Sequence, residues 1–411
     1  MTLLSMAFRE QVKQTKDIAM TSEMTYGVSY PTGFLNMDFA NGYIQEINGK
    51  MRFELGISDG SMNMIISDSG VGKTTIATQI ACNIIKPFPT SCIFYEQAEA
   101  TGTNIQRLKN LTGMDDETFE KRFIVRDAGI TTESIFNRAK MIYDIKTSNP
   151  SDYMYDTSMV DIHGKPIYKF EPTVMIIDSV KLVLSEKTAQ ADETTNMTGA
   201  QNAKTNSEYY SKMLPLCKMA NIIVFFINHI TTDVNTGFLP KKAELAYLKQ
   251  GEHIAGGRSL TYIQNNIFRL DIKSKLKSEE GLGISGSTVS LDVVKSRTNT
   301  SSRAKCTLVF DQATGYDNDL SLFMMLKDRK LLEGSGAFLK LPGYDKKFSQ
   351  KKFKEELYSD PEFFNAFVSI CINTLKNDLI EEYERIKKEN SLSGNGKLSP
   401  YEAMIEQLSV A

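Results

Sequence analysis

S-D-S-G-V-G-K-T-T, from Ser67 to Thr75, lies between two apolar runs and decides the fold of this chain. The run Met62–Ile66 before it is typical of a buried strand, and Ile76–Ile85 after it is typical of a helix. A glycine-rich turn in that position gathers backbone N–H groups at a helix N-terminus, where they bind phosphate. We therefore predict an ATP or GTP site, although Ser67 stands where the usual pattern has glycine.

Every residue of this phosphate loop, defined as residues 67–75, is a predicted nucleotide contact. The ammonium of Lys73 can contact the β- and γ-phosphates of the nucleotide, and the hydroxyl of Thr74 is a predicted ligand of Mg²⁺. The loop consists of Ser67, Asp68, Ser69, Gly70, Val71, Gly72, Lys73, Thr74 and Thr75.

The composition is that of a globular chain without a strong net charge. Its 411 residues, 41% apolar and 24% charged, give room for two or three domains. A formal charge of −2 means that any polyanion site must be a local patch. The five cysteines are scattered and no apolar run could cross a bilayer. We expect a reducing cytoplasm and no membrane partner.

The apolar runs predict an α/β fold. Strand-like runs alternate with helix-like segments from Tyr30 to Lys275, and they are apolar throughout, which favours a mostly parallel sheet covered by helices. Two later runs alternate in polarity and predict an antiparallel extension: Thr288–Val294 and Lys305–Phe310. The earlier predicted strands are Met62–Ile66, Cys92–Tyr95, Thr173–Ile177, Asn221–Ile227 and Asn266–Ile272.

Three further segments lie outside this alternation. Residues 3–20 predict a short amphipathic helix that packs on another surface. Residues 148–172 predict a surface hairpin around His163–Pro166. After about residue 343 the sequence predicts a small C-terminal α domain, which ends in a short helix at Pro400–Leu408.

Polar residues at the ends of predicted strands are the other candidates for chemistry. Asp178 ends an apolar strand, where its carboxylate can bind Mg²⁺ at the ligand-binding edge of the sheet. Glu96 and Glu99 follow the preceding strand, and either can act as the base that polarises an attacking water. His229 ends a later strand, where it can contact the γ-phosphate.

The order of these parts resembles the RecA family of recombinases, most closely its phage UvsX-like branch. The similarity covers about residues 30–335 and starts at Y-P-T-G-F-L-N-M-D-F-A-N-G, from Tyr30 to Gly42. It includes the phosphate loop, the strand ends and H-I-A-G-G-R-S-L-T-Y-I-Q-N-N-I-F-R-L-D-I, His253 to Ile272. The most specific part is V-V-K-S-R-T, Val293 to Thr298.

The resemblance implies roles that spacing alone does not assign. Lys295 and Arg297 would enter the ATP site of a neighbouring copy and stabilise charge on the transferred phosphoryl group. Two loops, about 185–203 and 231–258, would contact DNA. Their implied DNA-binding residues are Met197, Thr198, Gly199, Phe238, Lys241, Lys242, Gly256, Gly257 and Arg258.

The resemblance also implies a domain plan and a function. Residues 1–29 would form an oligomerisation segment, 30–340 a RecA-like P-loop ATPase core and 341–411 a C-terminal helical domain. The expected protein is a phage-encoded, ATP-dependent recombinase of the host bacterial cytoplasm, which forms filaments on single-stranded DNA and pairs it with homologous duplex DNA. Single-strand-binding and mediator proteins are further implied partners.

Two other functions stay open from the sequence. A RecA-core replicative helicase shares the phosphate loop and the trans cation, but it normally has a sizeable domain before the core. A non-hydrolysing structural or regulatory filament protein would be compatible with Ser67 and with the E-Q-A-E spacing of Glu96 and Glu99, which leaves the base unassigned. The family's adenine-stacking aromatic and acidic C-terminal tail have no evident match.

Overall fold

The structure is a computed structural model of the chain. It describes residues 27–47, 49–99, 104–160, 164–189, 199–232, 245–254, 257–276, 286–298 and 304–393. The predicted helices at residues 3–20 and 400–408 lie outside these ranges. Strands and helices alternate along the chain, so the protein belongs to the α/β class.

The elements are numbered here in chain order within the described ranges. The strands are β1 (Ser29–Tyr30), β2 (Tyr43–Ile47), β3 (Lys50–Glu54), β4 (Ile57–Ser58), β5 (Met62–Ser67), β6 (Ile93–Gln97), β7 (Phe123–Arg126), β8 (Met154–Val160), β9 (Pro166–Phe170), β10 (Thr173–Asp178), β11 (Ile222–Thr232), β12 (Glu252–Ile254), β13 (Asn266–Leu276), β14 (Gly286–Ser296), β15 (Lys305–Asp311), β16 (Gly315–Asp317), β17 (Glu333–Ser335), β18 (Phe338–Lys340) and β19 (Lys347–Ser349). The α-helices are α1 (Leu35–Ala40), α2 (Lys73–Ile85), α3 (Ile105–Thr112), α4 (Asp116–Arg122), α5 (Thr132–Ser148), α6 (Pro150–Tyr153), α7 (Glu186–Ala189), α8 (Gly199–Ala220), α9 (Gly257–Ile263), α10 (Asn318–Asp328), α11 (Phe353–Ser359) and α12 (Pro361–Ser393).

The chain divides into two compact units, and the first contains residues 57–69 and 73–267 as well as the segment up to Tyr30. Its sheet has the order β5-β11-β10-β6-β7, and each of these neighbouring pairs is parallel. Strands β5 and β10 are buried at every position, as expected for a sheet covered on both faces. The predicted parallel sheet is therefore confirmed.

A hairpin is attached to this first unit. Strands β8 and β9 pair antiparallel, which confirms the hairpin predicted between residues 148 and 172. The Tyr155 hydroxyl lies 2.9 Å from that of Tyr30, and the Lys169 ammonium lies 2.9 Å from the Asp59 carboxylate. Two polar contacts thus fasten the insertion to the core.

The second unit contains residues 31–56, 70–72 and 268–411. Strands β14, β15 and β16 pair antiparallel in that order, which confirms the antiparallel pairing predicted for the runs at 288–294 and 305–310. The region after residue 341 is not entirely helical, because β19 pairs with β18. The aromatic side chains in the core of this second unit are Phe323, Tyr344, Phe348, Phe353, Phe363 and Phe367.

The five cysteines are free, three of them buried and two partly buried. Burial is the main reason why the pKa of each thiol is raised. Among the described residues, no helix combines the length and the apolar character needed to cross a membrane.

Candidate nucleotide site

Parallel strand pairing brings the predicted site residues of the first unit to one edge of the sheet. His229 of β11 lies beside Ser67 at the end of β5, and Asp178 of β10 lies beside Gln97 at the end of β6. The carboxyl ends of parallel strands are the usual ligand-binding edge of an α/β sheet. Ser67 at the start of the phosphate loop, the predicted metal ligand Asp178 and the predicted γ-phosphate contact His229 therefore all lie at this edge.

Lys73, the first residue of α2, is buried and has no bonded carboxylate partner within the described part of the chain. Its ammonium donates to the carbonyls of Ser67 (3.1 Å) and Asp68 (2.8 Å), to the Ser67 hydroxyl and to Nδ1 of His229. Burial lowers the pKa of Lys73 to about 8, against the opposing attraction of nearby carboxylates. A buried cation bonded to uncharged acceptors has the chemistry to bind an anion, and phosphate is such an anion.

Thr74 and Asp178 form the pair that fits Mg²⁺. The Thr74 hydroxyl donates to Oδ2 of Asp178 at 2.6 Å, and the Tyr95 hydroxyl donates to the same oxygen at 2.9 Å. Burial raises the pKa of Asp178, while these two hydrogen bonds lower it. Mg²⁺ commonly takes one or two protein oxygens and completes its shell with water and phosphates, so this donor set fits the ion.

Tyr95 is a site residue that the sequence reasoning missed as a functional side chain. It lies in the middle of β6 and is buried, so its apolar ring looked like core. Only the register of β6 against β10 shows that its hydroxyl reaches the carboxylate of Asp178. The hydroxyl fixes the orientation of that carboxylate.

The two acids that could act as base have different surroundings. Glu99 lies in the turn after β6, and its Oε1 is 2.9 Å from Nε2 of His229. Its negative charge also acts on Lys73 of the phosphate loop. Glu99 is therefore grouped with His229 and Lys73, close to where phosphates would bind, and it is only partly buried.

Glu96, by contrast, is 1% exposed and lies between two guanidinium groups. It forms ion pairs with Arg138 of α5 and, at 3.8 Å, with Arg126 at the end of β7. Burial raises its pKa, and the two arginines oppose that shift. These contacts hold Glu96 as part of the core and leave Glu99 as the candidate base.

The middle of the phosphate loop, residues 70–72, packs within the second unit. Gly72 has φ +89°, and a Cβ atom there would lie 2.7 Å from the Phe310 ring. The Tyr316 hydroxyl donates to the carbonyl of Val71 at 2.6 Å, and the Phe310 and Tyr316 rings contact each other. The two rings therefore support this part of the loop. At Gly70, where φ is +78°, a Cβ atom would point into open space.

Lys295 and Arg297 also lie in the second unit. Lys295 is near the end of β14, and Arg297 follows that strand in an exposed position. Burial, assisted by the charge of Arg297, lowers the pKa of Lys295 to about 8. Mutual repulsion of two adjacent cations is relieved when an anion binds to them.

Helices and strands occupy the described parts of both segments implied as DNA loops. Helix α7 occupies residues 186–189 and α8 starts at Gly199, so loop structure at both ends of 185–203 was a wrong prediction. In 231–258, β11 continues to Thr232, β12 pairs with it, and α9 contains Gly257 and Arg258. Outside the described residues lie Met197, Thr198, Phe238, Lys241, Lys242 and Gly256.

The structure thus brings together Ser67, Lys73, Thr74, Asp178, Glu99 and His229 in the first unit. No protein-family model and no curated protein matches the chain. The likeness to the RecA family therefore rests on the motifs quoted above.

Proposed function

We propose that this chain binds ATP with Mg²⁺ at its phosphate loop and hydrolyses it. The observation that carries the proposal is the buried ammonium of Lys73 beside the Thr74–Asp178 pair and the Glu99–His229 pair at one sheet edge. An anion site, a metal-ligand pair and a candidate base at one place are the parts that phosphoryl transfer requires.

Each side chain has a distinct role in this proposal. The Lys73 ammonium exchanges its uncharged acceptors for the β- and γ-phosphates, and Thr74 and Asp178 hold Mg²⁺, which supplies positive charge to those phosphates when bound. Glu99 accepts a proton from, or orients, the attacking water. His229 lies beside Glu99 and keeps that carboxylate in place.

We further propose that the ATPase is that of a DNA strand-exchange recombinase with a RecA-like core. The support is the order of motifs, from Tyr30–Gly42 to Val293–Thr298. Single-stranded DNA, homologous duplex DNA and further copies of the chain are its proposed partners. Lys295 and Arg297 are proposed to act on the nucleotide of a neighbouring copy.

ATP turnover with Mg²⁺, measured with and without single-stranded DNA, tests the proposal. We expect turnover that rises when DNA is added, and none in Lys73→Met, because the substitution removes the charge that binds the phosphates. A thermal melt of Lys73→Met checks that the variant is folded. Wild-type turnover that is absent, or that survives in Lys73→Met, contradicts the proposed ATPase.

Homologous pairing separates the recombinase from the other functions. The assay mixes the coated single strand with a labelled homologous duplex and measures joint molecules. Joint molecules that require ATP are expected. Unwinding of a forked duplex without pairing would favour a helicase, and filaments without turnover would favour a structural protein.

The DNA contacts have their own test, a salt titration of single-strand binding. Neutralising Lys241, Lys242 and Arg258 together should weaken binding and flatten its salt dependence, by about 0.7 in slope per lost phosphate contact. Phe238→Ala should weaken binding without changing that slope, because stacking on a base releases no counterions. An unchanged affinity and slope in the triple variant would exclude this segment as the DNA site.

A further inference from the structure

Three side chains from separate elements form a continuous hydrogen-bonded array in the first unit. Lys73 Nζ of α2 is 3.3 Å from Nδ1 of His229, and Nε2 of the same ring is 2.9 Å from Oε1 of Glu99. One imidazole of β11 therefore joins the cation of the phosphate loop to the candidate base after β6. The array is defined here as Lys73–His229–Glu99.

The groups at the two ends of the array, an ammonium and a carboxylate, determine which nitrogen of the His229 ring carries the proton. An ammonium group has three N–H donors and no lone pair, so Nδ1 of His229 must be the acceptor in its contact with Lys73. A carboxylate is an acceptor, so Nε2 must carry the hydrogen that it donates to Glu99. The His229 ring thus accepts a hydrogen bond from Lys73 through Nδ1 and donates one to Glu99 through Nε2.

This arrangement places His229 in competition with the nucleotide. The same ammonium that Nδ1 holds is the group that must point toward phosphate for binding. Its other partners are the carbonyls of Ser67 and Asp68 and the Ser67 hydroxyl, which belong to the loop itself. His229 is the partner from another element, so its bond with Lys73 restrains the lysine from outside the loop.

We infer that His229 is a positioning residue that ties Lys73 to Glu99 while the phosphate loop is empty, and that phosphate binding breaks this tie. His229 then keeps its bond to Glu99 and orients the base. The inference rests on the proposed nucleotide site and goes beyond it, because it assigns His229 a restraining role before any γ-phosphate is present.

The test measures ADP affinity in the full-length chain, for wild type, His229→Leu and His229→Gln. ADP lacks the γ-phosphate, so its affinity reports the competition for Lys73 without a contact between His229 and that phosphate. His229→Leu should bind ADP more tightly by a factor of about 2 to 10, the value of one released hydrogen bond. Its ATP turnover should fall, because Glu99 loses its donor.

His229→Gln is the conservative variant, since an amide offers one acceptor for Lys73 and one donor for Glu99. It should restore ADP affinity and turnover toward the wild-type values. His163→Leu, between β8 and β9 in the sequence, is the matched control for loss of a histidine, and it should leave ADP affinity unchanged. A His229→Leu variant with unchanged or weaker ADP affinity, or a His229→Gln variant that behaves like it, overturns the inference.

The ring tautomer gives a second measurement on the wild-type chain. Nitrogen-15 spectra without nucleotide should show Nε2 of His229 protonated and Nδ1 unprotonated, with the signals assigned by their loss in His229→Gln. The opposite tautomer overturns the inference. Wild type that binds neither ADP nor ATP contradicts the proposed site as well, whereas normal binding with the wrong tautomer contradicts the inference alone.

Discussion

Single residues decide which acid can take part in chemistry at the sheet edge. Glu96 and Glu99 are three positions apart, yet the first is held between Arg126 and Arg138 and the second contacts His229. A buried carboxylate paired with arginines contributes to folding, whereas a partly exposed one beside the phosphate loop can reach a bound water.

Replacing each acid by its amide should separate these roles. Glu99→Gln should lower ATP turnover by about 10²–10⁴-fold while nucleotide still binds, because the base is lost. Glu96→Gln should instead lower the free energy of unfolding by about 3 kcal/mol, because it leaves the partly buried charges of Arg126 and Arg138 without this carboxylate. Steady-state kinetics and urea unfolding of both variants provide the check. A stable Glu96→Gln with turnover as low as that of Glu99→Gln would reverse the assignment.

The sequence was sufficient to predict that residues 67–75, Asp178 and His229 meet at one sheet edge, because their positions depend on motif spacing and on where apolar runs end. It could not choose between Glu96 and Glu99, since the choice depends on arginines from α5 and β7. It also missed Arg107, whose guanidinium is 3.4 Å from the Thr75 hydroxyl. These contacts are set by tertiary packing.

At the scale of elements, the phosphate loop depends on two glycines for different reasons. Gly70 and Gly72 both have a positive φ, but only Gly72 faces the rings of Phe310 and Tyr316. A side chain at position 70 meets the backbone penalty alone, whereas one at position 72 also displaces packed rings.

Alanine at each position should show the difference. Gly70→Ala should reduce the free energy of unfolding by about 1–2 kcal/mol. Gly72→Ala should cost about 1–3 kcal/mol more, because the rings must move, and it should weaken ADP binding more strongly. Urea unfolding and ADP titration measure both effects. Equal losses in the two variants would argue against support of the loop by the rings.

Helix α5 ends with a buried lysine that should make stability depend on pH. Lys146 donates to the carbonyls of Glu171 and Ala220, and burial lowers its pKa to about 8 from 10.5. Below pH 8 the lysine is charged in both states, and its burial cost is fully present. Between these two values the folded state releases the proton first, so stability rises with pH by up to about 1.4 kcal/mol per unit.

Lys146→Met should lack this rise. The measurement is the difference in free energy of unfolding between wild type and variant across that pH interval. Lys140→Met, an exposed change on the same helix, is the control and should keep the wild-type slope. A Lys146→Met slope equal to that of wild type would show that this lysine stays charged in the fold.

Element boundaries were predicted well where strands are apolar throughout and poorly where polar residues continue them. Strand β11 extends through His229 to Thr232 because its end pairs with β12. The polar sequence of that segment resembled a loop. Similarly, the start of α8 is polar and small, and such residues give a weak helix signal.

For the assembled protein, we propose that ATP turnover requires contact between copies of the chain. If Arg297 acts on a neighbour's nucleotide, Arg297→Ala copies should bind ATP and hydrolyse it poorly. Mixing them with Lys73→Ala copies should restore some turnover, because some junctions then combine an intact loop with an intact cation. The measurement is ATP turnover by the mixture under conditions in which the wild-type chain forms filaments.

The matched control replaces the Arg297→Ala partner with a chain that carries both substitutions. In that mixture no junction has both groups, so turnover should stay at the level of Lys73→Ala alone. The absence of restored turnover in the first mixture would contradict a trans role for Arg297, whereas turnover in this control would show that an intact Lys73 is not required.

The five thiols are buried or partly buried, which makes the chain suitable for selective labelling. Thiolates react with maleimides, and groups with raised pKa values form few thiolates at neutral pH. A fluorophore pair could therefore be attached through cysteines placed at Lys140 in the first unit and Asn377 in the second, without removing the natural ones. Energy transfer between the dyes would then report how the spacing of the two units responds to ATP.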